Sequence, residues 1–323
     1  MRPLAIDARA AARPELGGVE RWARELCARL PYTIHRPPPA LVHRAGHAWE
    51  QAVLPVLSAR APALLCPANL APLAARNVVV VIHDAAPLRH PGWYSNAYAA
   101  FQRRVLPLIA RRARAVITVS EFSRDELRDL LDVDASVVYG GVDPRFVPGE
   151  KADRPYVLCV ASHTARKNLR ALLPAARALA AEGIELRVAG GHRPQFAAED
   201  GLESLTLLGA VPDAELPALY AGAAAFVLPS VYEGFGLPVL EAMAAGTPVI
   251  ASNVTALPET AGGAARLVPP DAEALRDALL SLLGDSAEQA RLRELGLERA
   301  RAFTWERTAS EVDRVVRTSI ARG

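Results

Sequence analysis

The chain has 323 residues, of which 51% are hydrophobic and 22% charged, with a net charge of +2. That length predicts two domains of about 150 residues each, and the near-neutral balance argues against a global attraction to nucleic acid. Cys27, Cys66 and Cys159 are far apart and form no Cys-x-x-Cys pair, which argues against a disulfide framework or a zinc site and fits a reducing cytosol.

Leu4–Asp7 reads as a first strand and not as a signal peptide, because Asp7 and Arg9 interrupt any long apolar stretch. No segment supplies the roughly 20 apolar residues needed to cross a bilayer. Further apolar runs follow at Leu64–Cys66, Val78–His83, Val116–Ser120 and Val137–Tyr139. A second series comprises Tyr156–Val160, Leu186–Gly190, Leu205–Leu208, Phe226–Pro229, Val249–Ser252 and Leu267–Val268. Strands alternating with helical stretches predict α/β architecture, with two doubly wound Rossmann-like domains facing across a cleft. Pro144, Pro148, Gly149 and Pro155 break the periodicity, so the domains are expected at 1–147 and 148–305. Ligands of such sheets bind beyond the carboxyl ends of the strands, which makes the residues just after each strand the candidates.

Gly17 and Gly18 open a helix after the first strand and let backbone come near a phosphate or sugar, although a plain tight turn reads nearly as well. His83 and Asp84 end an apolar strand. A histidine there can hydrogen-bond a sugar hydroxyl, with Asp84 fixing its ring. The arginine-rich segment Phe101–Arg114 is amphipathic: it either rests on anionic lipid or faces a core with a basic outer side. Two patterns are set aside. Asp132-Val-Asp134 reads as solvated, and His43-x3-His47 lacks a metalloprotease glutamate and reads as a loop.

Arg166 and Lys167 follow the first strand of the second domain, where two cations can neutralise a departing diphosphate. Gly190 follows the next strand and allows the same close approach, or a simple turn. Finally, Pro229-Ser-Val-Tyr-Glu-Gly-Phe-Gly-Leu-Pro-Val-Leu-Glu241 joins a strand to a helix whose first position suits Pro238. Backbone at Gly234, Phe235, Gly236 and Leu237 can approach an anion at the helix start. Glu233 and Glu241, beside that anion, can accept hydrogen bonds from sugar and ribose hydroxyls.

The Glu233-x7-Glu241 spacing, the following Ala242-Met-Ala-Ala-Gly-Thr-Pro-Val-Ile250 and the Arg166-Lys167-Asn168 segment strongly resemble the retaining GT-B glycosyltransferases of family 4. The resemblance covers nearly the whole chain. It implies that Glu241 holds the donor's ribose, that Glu233 holds the transferred sugar near its reacting face, and that His83 lies close to that sugar. Many members carry an arginine six residues before Lys167, where this chain has Ala161. The resemblance also implies transfer of a hexosyl group with retention, no metal or cofactor, and a final helix (306–323) that returns to the first domain. Asn253-x3-Leu-Pro-Glu259 leans toward the bacterial mannosyltransferase-like members. GDP-mannose is therefore the expected donor and a glycan or lipid-linked hydroxyl the expected acceptor, in cell-surface polysaccharide or glycolipid synthesis. A sugar-nucleotide epimerase and a silent sugar-nucleotide-binding protein are the alternatives.

Overall fold

Parallel strands buried on both faces account for the apolar runs. The computed structural model describes residues 3–14, 17–42, 46–191 and 201–321. In chain order the first series is β1 (Ala5–Asp7), α1 (Gly18–Arg29), β2 (Thr33–His35), α2 (Gly46–Ala52), α3 (Leu54–Ser58), β3 (Leu64–Cys66) and β4 (Val78–Val81). It continues through α4 (Ala86–Arg89), α5 (Asn96–Arg112), β5 (Ala115–Thr118), α6 (Glu121–Leu131) and β6 (Ser136–Val137). These strands form one parallel sheet ordered β2-β1-β3-β4-β5-β6. Of these, β1, β3, β4 and β5 are almost wholly buried, as expected of strands covered on both faces.

The second series is β7 (Tyr156–Val160), α7 (Leu173–Ala181), β8 (Glu185–Ala189), β9 (Thr206–Gly209), α8 (Leu216–Gly222) and β10 (Ala225–Leu228). Then come α9 (Leu237–Ala244), β11 (Val249–Ser252), α10 (Leu257–Ala261), β12 (Arg266–Val268), α11 (Ala272–Leu283) and α12 (Ser286–Arg301). Their parallel sheet is ordered β12-β11-β10-β7-β8-β9. The last helix, α13 (Trp305–Ala321), sets the ring of Trp305 edge-on to Trp22 of α1, 5.8 Å between centroids. Asp313 accepts a 2.7 Å hydrogen bond from the Tyr32 hydroxyl.

The chain divides into two units, Met1–Arg89 with Ala99–Gly141 and Trp305–Gly323, and His90–Tyr98 with Val142–Thr304. The expected join at 147/148 thus moves to Gly141/Val142. The cause is local: the Val142 amide donates to the Phe303 carbonyl (3.0 Å) and Val142 pairs with Thr304, tying 142 onward to the end of α12. Helix ends are set by ordinary capping chemistry. Ser120 accepts from the Ser123 amide (3.0 Å), Asp271 from Ala274 (2.9 Å) and Asp285 from Glu288 (2.9 Å), each satisfying an amide that the helix itself leaves unpaired. No helix among the described residues is long and apolar enough to cross a membrane.

One reading changes. His47 lies on helix α2 rather than in a loop, and His43 is outside the described residues. The 101–114 segment lies mostly on α5, with Leu106, Ile109 and Ala110 buried in the core beneath the sheet, so its inner face is a core face.

Candidate active site

In the second sheet the chain runs from β7 outward to β9, then returns to the other side of β7 with β10. The order therefore reverses between β7 and β10. Loops leaving these two strands at their carboxyl ends stand at the position where doubly wound sheets bind ligands. The loop after β7 carries Arg166 and Lys167, and the loop after β10 carries Glu233.

The structure brings all three side chains together. Lys167 pairs with Oε1 of Glu233, and Nη1 of Arg166 stands 3.5 Å from Oε2 of the same carboxylate. Ser230 donates to Oε1 at 2.7 Å, and the Glu233 amide donates to the Thr255 hydroxyl at 3.0 Å. Lys167 and Glu233 are 7% and 6% exposed, so this is a desolvated charge cluster and not a surface pair. Burial pushes the Glu233 carboxyl up, but Lys167, Arg166 and the Ser230 hydroxyl outweigh it and hold the group below its ordinary value. Burial works against the Lys167 ammonium in turn and lowers it.

Backbone details tie these loops together. Asn168 sits in the left-handed region (φ 55°), and its amide group donates to the carbonyls of Pro229 (3.0 Å) and Pro270 (2.8 Å), bridging the two loops. Asparagine tolerates that conformation better than most residues. The Val231 amide donates to the Arg166 carbonyl at 2.9 Å. His163 Nε2 and Thr164 Oγ1 are buried in the same turn with no hydrogen-bond partner among the described residues.

The glycine loop departs from expectation in part. α9 begins at Leu237, so Pro238 is its second residue and Glu241 its fifth. Gly236 caps it at φ +100°, where an added Cβ would lie 2.7 Å from Leu257 Cδ2. Gly234 and the side chains of Phe235 and Leu237 are buried; the Phe235 ring stands 5.9 Å from that of Phe303. Glu241 does not join the Lys167 cluster. Its Oε2 accepts a 2.9 Å hydrogen bond from Tyr220, whose carbonyl accepts in turn from Thr247 at 2.7 Å. Gly190 has φ +141°, and a Cβ there would fall 2.1 Å from the Ala161 carbonyl oxygen. The chain's own backbone therefore demands glycine at 190.

His83, Asp84, Gly17 and Gly18 belong to the first unit. His83 follows β4 and lies edge-on to Trp22, ring centroids 5.4 Å apart. Its Nε2 is 2.8 Å from the Pro67 carbonyl. A carbonyl only accepts, so Nε2 bears the proton and Nδ1 keeps its lone pair. Burial lowers the imidazole below its ordinary value, which favours that neutral form. Pro67, and not Asp84, fixes the ring. Asp84 instead accepts from the Ala86 amide at 3.1 Å. Gly17 precedes α1 and donates its amide to Glu20 (3.1 Å), leaving exposed Gly18 as the first helical residue.

One cluster escaped the sequence reading. Asp7, at the end of β1, accepts from the Arg9 amide at 2.9 Å, and Arg9 pairs with Glu50 at 2.6 Å, all three nearly inaccessible. Burial raises the Asp7 carboxyl to about 6, against the pull of Arg9. Its only signal was charge at a strand end, since Glu50 looks like any polar helix residue. Ser230 and Thr255 were also missed, although both lie in stretches already of interest. Among the described residues no group of three or more His, Cys, Asp or Glu is placed to hold a metal ion.

Residues 154–285 match the model of the glycosyl transferases group 1, and residues 32–146 that of Glycosyltransferase Family 4. The O-antigen chain mannosyltransferase B of Escherichia coli is 32% identical over 260 residues, covering 72% of this chain and 68% of that protein. The MMP alpha-(1->4)-mannosyltransferase of Mycolicibacterium hassiacum is 36% identical over 249 residues, or 71% of this chain and 59% of that protein. A sucrose-phosphate synthase from Thermosynechococcus elongatus superposes over 100% of both chains with a TM-score of 0.79 at 22% identity. Anabaena HepE, solved in complex with UDP and glucose, superposes over 98% of this chain and 99% of its own with a TM-score of 0.76 at 16% identity. At such identities these two likenesses show the GT-B fold.

Proposed function

Because the chain belongs to the group 1, family 4 glycosyltransferases, we propose that it transfers a mannosyl group from GDP-mannose to a hydroxyl of a glycan or lipid-linked acceptor, with retention of configuration. The observation that carries this reading is the desolvated Lys167–Glu233–Arg166 cluster between the loops of β7 and β10. Two cations against one carboxylate leave the site one positive charge in excess, which suits an entering diphosphate. In a water-poor setting each such charge acts strongly on a departing phosphate and needs no reorganisation to do so.

Lys167 and Arg166 are assigned to the diphosphate, Glu233 to a hydroxyl of the transferred sugar and Glu241 to the ribose. Tyr220 holds the Glu241 carboxylate in place through its hydroxyl. The amides at Gly234, Phe235, Gly236 and Leu237 face the phosphates at the start of α9, where the helix dipole favours negative charge. In the first unit, His83 is assigned to a sugar hydroxyl, accepting through Nδ1, and Asp84, Gly17 and Gly18 to the donor's surroundings. Charge neutralisation by side chains makes a metal unnecessary in this scheme, so turnover is expected to survive EDTA. The leaving phosphate accepts the acceptor's proton as the new glycosidic bond forms on the face the phosphate leaves.

The two curated mannosyltransferase relatives support mannose as the transferred sugar. Thermal-shift screening against GDP-mannose, UDP-glucose, dTDP-glucose and ADP-glucose tests the donor, since a ligand stabilises the fold according to its affinity. GDP-mannose is expected to give the largest rise in Tm, and a larger rise with another donor would contradict the assignment. Nuclear magnetic resonance of the product reports its anomeric configuration: retention from an α-linked donor gives an α product, and a β product overturns that part.

A further inference from the structure

Charge is distributed unevenly along this chain. Residues 51–120 contain eight arginines and one acidic residue, Asp84, against a whole-chain net charge of +2, so the remainder is net acidic. Apolar exposure is uneven as well. Ten large apolar side chains are left exposed among the described residues, and five of them, Val53, Val56, Leu57, Phe101 and Leu108, fall on α5 or on α3 and the residue before it. Val56 is 73% exposed and Leu57 50%.

These helices are neighbours on one face of the first sheet. Both the β2-to-β3 and the β4-to-β5 crossovers run in the same direction across it, so their helices lie on the same side. His47 of α2 touches Phe101 of α5, ring centroids 5.4 Å apart, and Leu54 of α3 shares a core with Leu106 and Ile109 of α5. The inner sides are thus used up in packing. On the outer side, Phe101, Arg104, Leu108 and Arg111 recur at helical spacing as one solvent-facing stripe. Arg103, Arg104 and Arg111 are exposed and form no ion pair or side-chain hydrogen bond with any described residue.

We infer that the outer face of α3 and α5 is a docking surface for a bilayer rich in anionic phospholipid. The arginines meet headgroup phosphates while the short apolar chains of Val56, Leu57, Phe101 and Leu108 enter the boundary between headgroups and acyl chains, the arrangement of a helix lying in the interface plane. Guanidinium groups on flexible stems reach upward to the phosphates as the apolar side chains go in. A nucleic acid is a poorer occupant: its bases need flat side chains to stack on, and here Phe101 is the one exposed aromatic beside three aliphatic residues. The inference goes beyond the assignment of donor and acceptor and does not rest on it. Its consequence is that catalysis takes place at a membrane surface.

Co-sedimentation of the full chain with vesicles, in the absence of any sugar nucleotide, tests it. Binding is expected to vesicles of phosphatidylcholine with one third phosphatidylglycerol and not to phosphatidylcholine alone, and to weaken as salt rises. Each arginine near an anionic surface contributes about fivefold, so an Arg104→Ala, Arg111→Ala variant is expected to bind about 25-fold more weakly. A Val56→Ser, Leu57→Ser variant is expected to lose about tenfold by forfeiting insertion. Both variants alter exposed side chains and are expected to keep the wild-type Tm. Failure of the wild-type chain to bind anionic vesicles, equal binding to neutral ones, unchanged binding by either variant, or tighter binding to single-stranded RNA than to vesicles each overturns the inference.

Discussion

At the scale of single residues the structure turns on buried charge. Glu233 is ionised in a desolvated site because two cations and a hydroxyl face it, and removing the carboxylate charge leaves those cations uncompensated. Glu233→Gln is expected to cost about 3 kcal/mol of stability, measured by urea unfolding at pH 7. The sign of the pH dependence follows. A carboxyl held below its unfolded value of 4.5 contributes stability that is present above that value and is lost as pH falls through the lower folded value. The wild-type urea midpoint is therefore expected to fall below pH 4.5 more steeply than that of Glu233→Gln, and parallel acid limbs would contradict the ion pair. Asp7 behaves oppositely. Its carboxyl is raised to about 6 from 3.8, so its contribution is complete below 3.8 and is lost as pH rises through 6. Asp7→Asn keeps an acceptor for the Arg9 amide. It is expected to be more stable than wild type by about 3 kcal/mol at pH 7 and equal to it near pH 3.5. Neither cluster was fully legible in sequence. Lys167 and Glu233 stand 66 residues apart, and reading each for its own chemistry gave a phosphate ligand and a sugar ligand. That the free protein pairs them follows from strand order, which no local pattern states.

At the scale of elements, legibility tracked burial. β3, β7 and β11 fall where apolar runs predict them, and the other core strands shift by one or two residues, because a strand covered on both faces must be apolar throughout. β2 went unrecognised. It is a three-residue edge strand, Thr33–His35, with Thr33 and Ile34 exposed, so no hydrophobic requirement marked it. The glycines repeat the lesson: Gly190 and Gly236 are both needed, for different reasons. An added Cβ at Gly190 meets backbone at 2.1 Å, whereas at Gly236 it meets the end of the Leu257 side chain at 2.7 Å. Both positions also have φ values that L-residues rarely adopt. Leu257 can turn aside and a carbonyl in the β7 loop cannot. Gly236→Ala is thus expected to cost about 1–3 kcal/mol and Gly190→Ala more than that, with thermal unfolding giving the order of Tm values. The reverse order would mean that the loop after β7 yields more readily than the hydrogen bonds from its Asn168 to Pro229 and Pro270 suggest.

At the scale of the whole molecule, two parallel six-stranded sheets each reverse their order once, and the loops beside each reversal carry the charged residues. In the second sheet the reversal brings Arg166 and Lys167 to Glu233. In the first it separates β1, which ends at Asp7, from β3, after which Pro67 orients His83. Family membership was readable because the Glu233-x7-Glu241 spacing, the stretch that follows it and the Arg166-Lys167-Asn168 segment are local patterns in the chain. The donor was legible only through the family resemblance of Asn253-x3-Leu-Pro-Glu259, because no pattern in the chain marks a base by itself. The central claim is that the Lys167 cluster receives the diphosphate of a sugar nucleotide. Isothermal titration of GDP-mannose and of guanosine into wild-type and Lys167→Ala protein tests it most directly. The account predicts that Lys167→Ala weakens GDP-mannose by about tenfold or more and leaves guanosine unchanged. Equal affinity of the two proteins for GDP-mannose, with the variant folded, would contradict it.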